Sequence, residues 1–234
     1  MTGASGGIGA QLSLRLAGAG AALAVHYGSN RDAAERVVET IRGRGGQAVA
    51  VPADLSDAEA TIALVETVEK LLGPVDVLVA NAGLSRPGSY EDIDASAFDE
   101  TLAVNLRAPY LLARGVLPGM RARKFGRILF TSSVAALTGG IVGPHYAASK
   151  AGLHGLAHFL AARAAPDGVT VNVIAPALIE ETGMLPGDPA DLSERVPVGR
   201  LGKPDEVADF AVAILRNGYI TNQVMSVDGG IYPS

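Results

Sequence analysis

Short apolar runs alternate with amphipathic stretches from one end of the chain to the other. The runs Ala22–His26, Ala48–Pro52, Val75–Ala80, Arg127–Ser132, Thr170–Ala175 and Val224–Val227 are rich in Val, Ile and Ala and nearly all apolar. That pattern predicts parallel strands buried on both faces, because a strand with one solvated face alternates polar and apolar positions. Between them, Ile8–Ala19, Arg31–Arg44, Asp57–Leu72, Ala95–Arg123, His145–Ala165 and Pro204–Arg216 repeat apolar residues at helical spacing. Ser56-Asp57 opens the third helix, and Pro204 opens the last, followed by Asp205 and Glu206. Strand–helix alternation predicts an α/β fold, a doubly wound parallel sheet in three layers with right-handed crossovers. No repeat or linker divides residues 1–234, which read as one domain. Only Ala177–Leu201 lacks periodicity; it is expected to be a long loop or a pair of short helices acting as a substrate lid.

Composition narrows the class. The 234 residues are 48% hydrophobic, ample for a sizeable core, and the net charge is −5 with no basic block. A nucleic-acid footprint is therefore not expected. The absence of Cys excludes disulfides, thiolate catalysis and Cys-ligated metals. No apolar run reaches the roughly 20 residues that span a bilayer. Met1 runs straight into Thr2-Gly3 without a secretory signal, so a cytoplasmic protein with no membrane partner is expected.

Two patterns carry chemistry. Gly3, Gly7 and Gly9 stand just before and inside the first helical pattern. Glycines let the backbone turn tightly and bring N–H groups close to a pyrophosphate, with the helix dipole behind them. An ordinary tight turn uses the same residues. Tyr146 and Lys150 stand four apart and share a helical face. A free phenol has a pKa of about 10, and a neighbouring ammonium is expected to lower it, making Tyr146 a proton donor or acceptor. A surface Tyr–Lys pair would look the same in isolation.

Together the motifs resemble those of the short-chain dehydrogenase/reductase superfamily, near its β-ketoacyl-ACP-reductase-like branch. Thr2-Gly3-x3-Gly7-x-Gly9 is similar to its cofactor fingerprint. Asn81-Ala82-Gly83 follows the third strand, with Ala80 where the family has a further Asn. Asn105, Ser133, Tyr146-x3-Lys150, Pro176-Ala177 (usually Pro-Gly) and Asp228-Gly229-Gly230 match further positions across almost the whole chain. The resemblance implies a Rossmann-type NAD(P)H-dependent oxidoreductase that interconverts a ketone and a secondary alcohol, with a 3-oxoacyl group among the candidate substrates. It implies that Lys150 also holds the nicotinamide ribose, Ser133 fixes the substrate oxygen and Asn105 holds a water in the proton path. Cofactor contacts are expected from Gly3, Ser5, Gly7, Ile8 and Gly9, from Ser29, Asn30 and Arg31 at the ribose, and from Asp54 and Leu55 at the adenine. Asn81, Ala82, Gly83, Pro176 and Ile179 complete that set. The resemblance also implies a homo-tetramer or dimer formed through the Ala95–Arg123 and His145–Ala165 helices.

The segment His26-Tyr27-Gly28-Ser29-Asn30-Arg31 has no carboxylate at the strand end for ribose hydroxyls, and Arg31 is placed to meet a 2′-phosphate. NADP(H) is therefore expected over NAD(H), with Asp32 and Gly6 as opposing features. His154 and His158 have metal-like spacing but no carboxylate cluster beside them, so packing is expected and no metal. His145 either touches substrate or lines a loop. Arg121, Arg123, Lys124 and Arg127 are expected to be a solvated helix end, and Asp167 nearby argues against recognition of an acidic carrier protein.

The family's fingerprint normally follows a buried strand, for which there is no room before Thr2. About five buried apolar side chains at roughly 1.5–3 kcal/mol each would be on the order of 10 kcal/mol. A truncated start is the favoured expectation. The alternative is a rearranged sheet, and with it a nucleotide-binding protein of little or no turnover.

Overall fold

A computed structural model describes residues 1–183, 185 and 187–233. The apolar runs become six parallel strands: β1 Leu23–Tyr27, β2 Ala48–Pro52, β3 Val77–Ala80, β4 Gly126–Thr131, β5 Val169–Pro176 and β6 Val224–Val227. They pair in the orders β1-β2 and β3-β4-β5-β6. Period-two alternation sends neighbouring residues to opposite layers. Ile128 and Phe130 join a cluster with α3 (Ala58–Leu72), α5 (Ala108–Ala122) and α7 (Pro144–Ala164). Leu129, between them, joins α1 (Gly7–Gly18) and α9 (Pro204–Arg216), beside α2 (Arg31–Gly43). The sheet thus lies between two helical layers, as the doubly apolar strands require. Burying a side chain the size of Phe130 or Leu129, both fully inaccessible, contributes about 1.5–3 kcal/mol.

Helix boundaries follow local chemistry. Asn30 accepts the Ala33 N–H at 3.1 Å and starts α2, and Asp57 accepts the Glu59 N–H at 2.8 Å and starts α3. The expected single helix Ala95–Arg123 is broken. It comprises α4 (Ala95–Leu102), a π-helical turn at Ala103–Arg107, and α5. Two short helices complete the set, α6 (Ala135–Thr138) and α8 (Pro189–Ser193). The expected lid segment holds α8 as its one helix among the described residues, and Ile179 bridges to Gly202. Met184, within the expected lid Ala177–Leu201, lies outside the described residues.

No strand precedes α1 among the described residues. Met1 to Ala4 join the two strand sets. The Met1 amine donates to the Ala24 carbonyl at 3.2 Å, His26 N–H to Met1 at 3.1 Å, and Thr2 N–H to Val79 at 3.0 Å. Beside this short bridge, between β1 and β3, runs an apolar cleft of about 340 Å³ lined by Ala24, Leu64, Val65, Leu78 and Val116.

Candidate active site

The glycine-rich turn is tied to the exit of β3. The Thr2 hydroxyl accepts the N–H groups of Asn81 and Ala82 at 3.1 and 3.2 Å, and Asn81 Nδ2 returns a bond to the Gly3 carbonyl at 3.1 Å. Gly3 has φ +58°, and a Cβ there would stand 2.8 Å from the Ala82 backbone. A Cβ on Gly9 would stand 2.0 Å from the Gly3 carbonyl oxygen, so only glycine lets α1 come this close to the turn. Gly6 has open space around it and no side chain caps α1. The first N–H groups of α1 therefore look into a cleft of about 430 Å³. A cradle that a Cβ would fill, under an uncapped helix start, fits the pyrophosphate of a dinucleotide.

His26 stabilises the same turn. It is 3% exposed. Its Nδ1 accepts the Gly3 N–H at 3.2 Å and its Nε2 faces the Ala53 carbonyl at 3.1 Å. Burial holds its pKa down at about 4, so it is neutral. Sequence reasoning missed His26; a lone imidazole in the apolar run LAVHY was the available signal.

The opposite wall carries the proton chemistry. The helical start Pro144 turns α7 so that Tyr146 and Lys150 face the end of β4. Tyr146 is buried, and the Ser133 hydroxyl stands beside it on the same cleft wall. Lys150 Nζ lies 5.6 Å from the Tyr146 ring centre and donates to the Thr131 carbonyl at 2.8 Å. The expectation that Lys150 lowers the tyrosine pKa is corrected here. Burial raises it above 10.0, with the Ser133 hydrogen bond opposing. Burial also lowers Lys150 to about 8. Desolvation outweighs the ammonium's attraction at this separation. The arrangement is a protonated phenol beside a hydroxyl, suited to giving a proton to a carbonyl oxygen.

Asn105 sits in the π-helical turn, fully buried and outside the cleft lining. Its side chain accepts the Leu84 N–H at 2.7 Å and donates to the Leu84 carbonyl at 3.0 Å and the Ser149 hydroxyl at 3.1 Å. With its amide so occupied, the side chain braces Leu84 against Ser149. Ser149, which the sequence reading passed over, donates onward to the Tyr146 carbonyl at 2.8 Å.

The cleft brings together Gly3, Ser5, Gly7, Ile8, Asn81, Ala82 and Gly83 with Ser133, Tyr146, Lys150, Pro176 and Ile179. Six expected cofactor residues do not line it. Gly9 packs beneath the turn, and Asn30 caps α2. Asp54 accepts Ser56 N–H at 2.8 Å, Leu55 is 6% exposed in the core, and exposed Arg31 lies 3.7 Å from Glu35. Ser29 is exposed at the start of α2, next to Asn30. His145 is fully buried with neither ring nitrogen hydrogen-bonded, and it lies outside the cleft lining. His154 meets the Ser132 hydroxyl and His158 meets Asn222, and no metal-holding group of three is present among the described residues. Arg121 and Lys124 pair with Asp167, and Arg123 pairs with Asp76.

A profile of the family described as short chain dehydrogenase matches residues 1–192. Acetoacetyl-CoA reductase of Shinella zoogloeoides is 38% identical over 237 residues, covering 98% of this chain and 96% of that one. The 3-oxoacyl-(acyl-carrier-protein) reductase FabG of Staphylococcus epidermidis is 34% identical over 238 residues, covering 99% and 97%. A dehydrogenase/reductase crystal structure from Sinorhizobium meliloti 1021 superposes with TM-score 0.91 at 35% identity, covering 100% of this chain and 94% of that chain. No helix among the described residues is long and apolar enough to cross a membrane. On these matches this chain belongs to the short-chain dehydrogenase/reductase family and is an oxidoreductase acting on CH–OH groups with a nicotinamide cofactor.

Proposed function

We propose that the protein reduces a small or acyl-type ketone, with a 3-oxoacyl group among its substrates, and prefers NADPH. The observation that carries this reading is the buried Tyr146 phenol, beside Ser133 in the cleft that also holds the glycine turn. When bound, the nicotinamide supplies the hydride. Ser133 holds the carbonyl oxygen, Tyr146 gives that oxygen its proton, and the Lys150 ammonium stabilises the phenolate left behind. General acid help of this kind contributes about 10²–10⁴ in rate. Two relatives named as reductases of acetoacetyl-CoA and of 3-oxoacyl carriers support the substrate class.

The cofactor preference rests on the end of β1. No carboxylate stands between Tyr27 and Asn30, and the Arg31 side chain is 72% exposed with only a loose partner in Glu35. It is free to turn to a 2′-phosphate, whose oxygens suit the planar guanidinium's paired N–H groups. The reading takes residues 1–234 as one domain. It includes self-association through α7, whose exposed stripe Ala148, Ala151, Gly155 and Phe159 is small and apolar. A ketone and alcohol panel with both cofactors tests the whole. NADPH is expected to give kcat/KM at least about tenfold above NADH, as a single charged contact is worth that much; equal values reject the preference.

A second reading, nucleotide binding with little turnover, is favoured by the apolar cleft that runs between β1 and β3 beside the glycine turn. It predicts NADPH binding without oxidation across the panel, unchanged by Tyr146→Phe.

A further inference from the structure

The substrate end of the catalytic cleft has a one-sided charge. Among the described residues that line it there is no Asp or Glu, and there are two cations, Lys150 and Arg195. Lys150 is 3% exposed and bonded to Thr131 at the floor, beside Tyr146. Arg195 is exposed, follows α8 and lines the cleft. The arginines Arg15, Arg86, Arg121, Arg123 and Arg200 each meet a carboxylate. Arg195 meets none among the described residues, although Asp191 and Glu194 are close in sequence.

The backbone around it is fixed. The Arg195 N–H donates to the Leu192 carbonyl at 3.2 Å, and Leu192 and Val196 are buried with Leu201 against Leu178, Leu185 and Ile231. A small apolar cluster therefore roots the residue while its guanidinium stays free. Tyr146 packs with Ala135 and Val142, whereas the residues that root Arg195 pack with Leu178, Leu185 and Ile231. The cleft thus holds a proton donor in one apolar cluster and an unpaired guanidinium beside another.

We infer that Arg195 is a specificity residue that binds an anionic group at the end of the substrate remote from the reacting carbonyl. The substrate is then a ketone with an apolar middle and a carboxylate or phosphate terminus, such as a keto acid or a 3-oxoacyl thioester of a phosphate-bearing carrier. A guanidinium takes either anion through two parallel N–H bonds. The inference rests on the ketoreductase reading above and adds what that reading leaves open, the charge of the substrate.

The test uses the whole chain, wild type and the variants Arg195→Ala and Arg195→Lys, with two matched substrate pairs. One pair is a 3-oxo carboxylate and its methyl ester. The other is a 3-oxoacyl-CoA and the same acyl group on N-acetylcysteamine, which lacks phosphate. For the anionic member of at least one pair, Arg195→Ala is expected to raise KM by about 10- to 100-fold, the loss of one charge-assisted contact. The kcat, the neutral member and the NADPH dissociation constant stay within about threefold, inside the context-dependence of a surface substitution. Arg195→Lys recovers part of the loss. An effect on the carboxylate pair alone identifies a keto acid, and an effect on the thioester pair alone identifies the carrier phosphate. Equal KM changes for charged and neutral members, or none, overturn the inference. If wild type turns over no ketone, the ketoreductase reading fails by itself. Calorimetric binding of the corresponding 3-hydroxy carboxylate and its methyl ester, with NADPH present, then decides Arg195. Preference for the carboxylate that vanishes in Arg195→Ala sustains the inference, and equal binding overturns it.

Discussion

His26 Nδ1 accepts the Gly3 N–H at 3.2 Å while its Nε2 meets the Ala53 carbonyl at 3.1 Å, so one neutral imidazole joins the glycine turn to the exit of β2. The Gly3 bond requires Nδ1 to be bare and Nε2 to carry the proton. Protonation would put an N–H against an N–H. The folded pKa is depressed to about 4 from 6.5. Between those values the unfolded chain binds more protons than the folded one, so stability is full above pH 6.5 and is lost as pH falls toward 4. The loss is on the order of 3 kcal/mol. His26→Leu is expected to abolish this acid limb in urea titrations and to weaken NADPH binding about tenfold, through the two groups it leaves without partners. His26→Asn, which can accept and donate in turn, recovers part of both. An unchanged acid limb in His26→Leu would show that other groups set it.

Lys150 presents the opposite trade. Burial depresses its pKa from 10.5 to about 8, so between those values the unfolded chain holds the extra proton and stability rises with pH. Below pH 8 the folded chain carries a buried charge whose cost Lys150→Met removes. That variant is expected to gain about 1–3 kcal/mol at pH 7, less the lost bond to Thr131, and the gain narrows as pH climbs toward 10.5. Its ketone reduction falls sharply. In the wild type the ammonium that supports the Tyr146 phenolate is present only below about pH 8, so kcat for reduction is expected to fall above that pH. Tyr146 itself stays protonated through this range, its pKa being raised by burial. A reduction rate flat to pH 10 would remove Lys150 from this role.

The sheet was readable because strands buried on both faces write their burial directly into composition. All six apolar runs are strands, and the Pro204–Arg216 helix has its expected ends. What the sequence hid was decided by hydrogen bonds between distant residues or by very local ones. The break at Ala103–Arg107 leaves apolar spacing intact, and its cause lies in Leu84 and Ser149, which Asn105 bonds across the fold. Asn30 and Asp54 were assigned to cofactor, and in the structure their oxygens serve the N–H groups of Ala33 and Ser56. Such short-range bonds are these residues' ordinary chemistry. The direction of the Tyr146 shift depended on burial, which spacing alone does not reveal.

Ser149 is the link through which Asn105 reaches the catalytic helix, accepting at 3.1 Å and donating to the Tyr146 carbonyl at 2.8 Å. Both side chains are fully buried. Ser149→Ala leaves the Asn105 amide short of one partner in a dry site, which costs about 1–3 kcal/mol of stability. It also frees Tyr146 to shift relative to Leu84 and the cofactor side of the cleft. The expected signature is kcat down by about 10-fold with KM little changed, since misplacing a reacting group acts on the transition state. Ser149→Thr, which keeps the hydroxyl, restores part of kcat. A purely structural role would lower stability in Ser149→Ala and leave kcat alone.

The cleft between β1 and β3 gives the clearest stability prediction. Met1 and Thr2 already supply the bonds that a strand between them would continue, to Ala24, His26 and Val79. Burial pushes the Met1 amine down to about 6 from 8.0, so the protein bears the cost of a buried amine at this point. Five apolar, β-branched residues added before Met1 would turn that amine into a peptide N–H and place alternate side chains against Leu64, Val65, Leu78 and Val116. Each buried side chain contributes about 1.5–3 kcal/mol. Ordering the backbone costs about 1–2 kcal/mol per residue, and the new strand bonds and the relieved amine add to the gain. A net stabilisation of several kcal/mol is expected, read as a higher urea midpoint with tighter NADPH binding, because the glycine turn would then hang from a full strand. An extension of the same length made of Gly, Ser and Asp is the control and is expected to leave both unchanged. Equal midpoints for the apolar and polar extensions would mean that the space between β1 and β3 does not accept a strand.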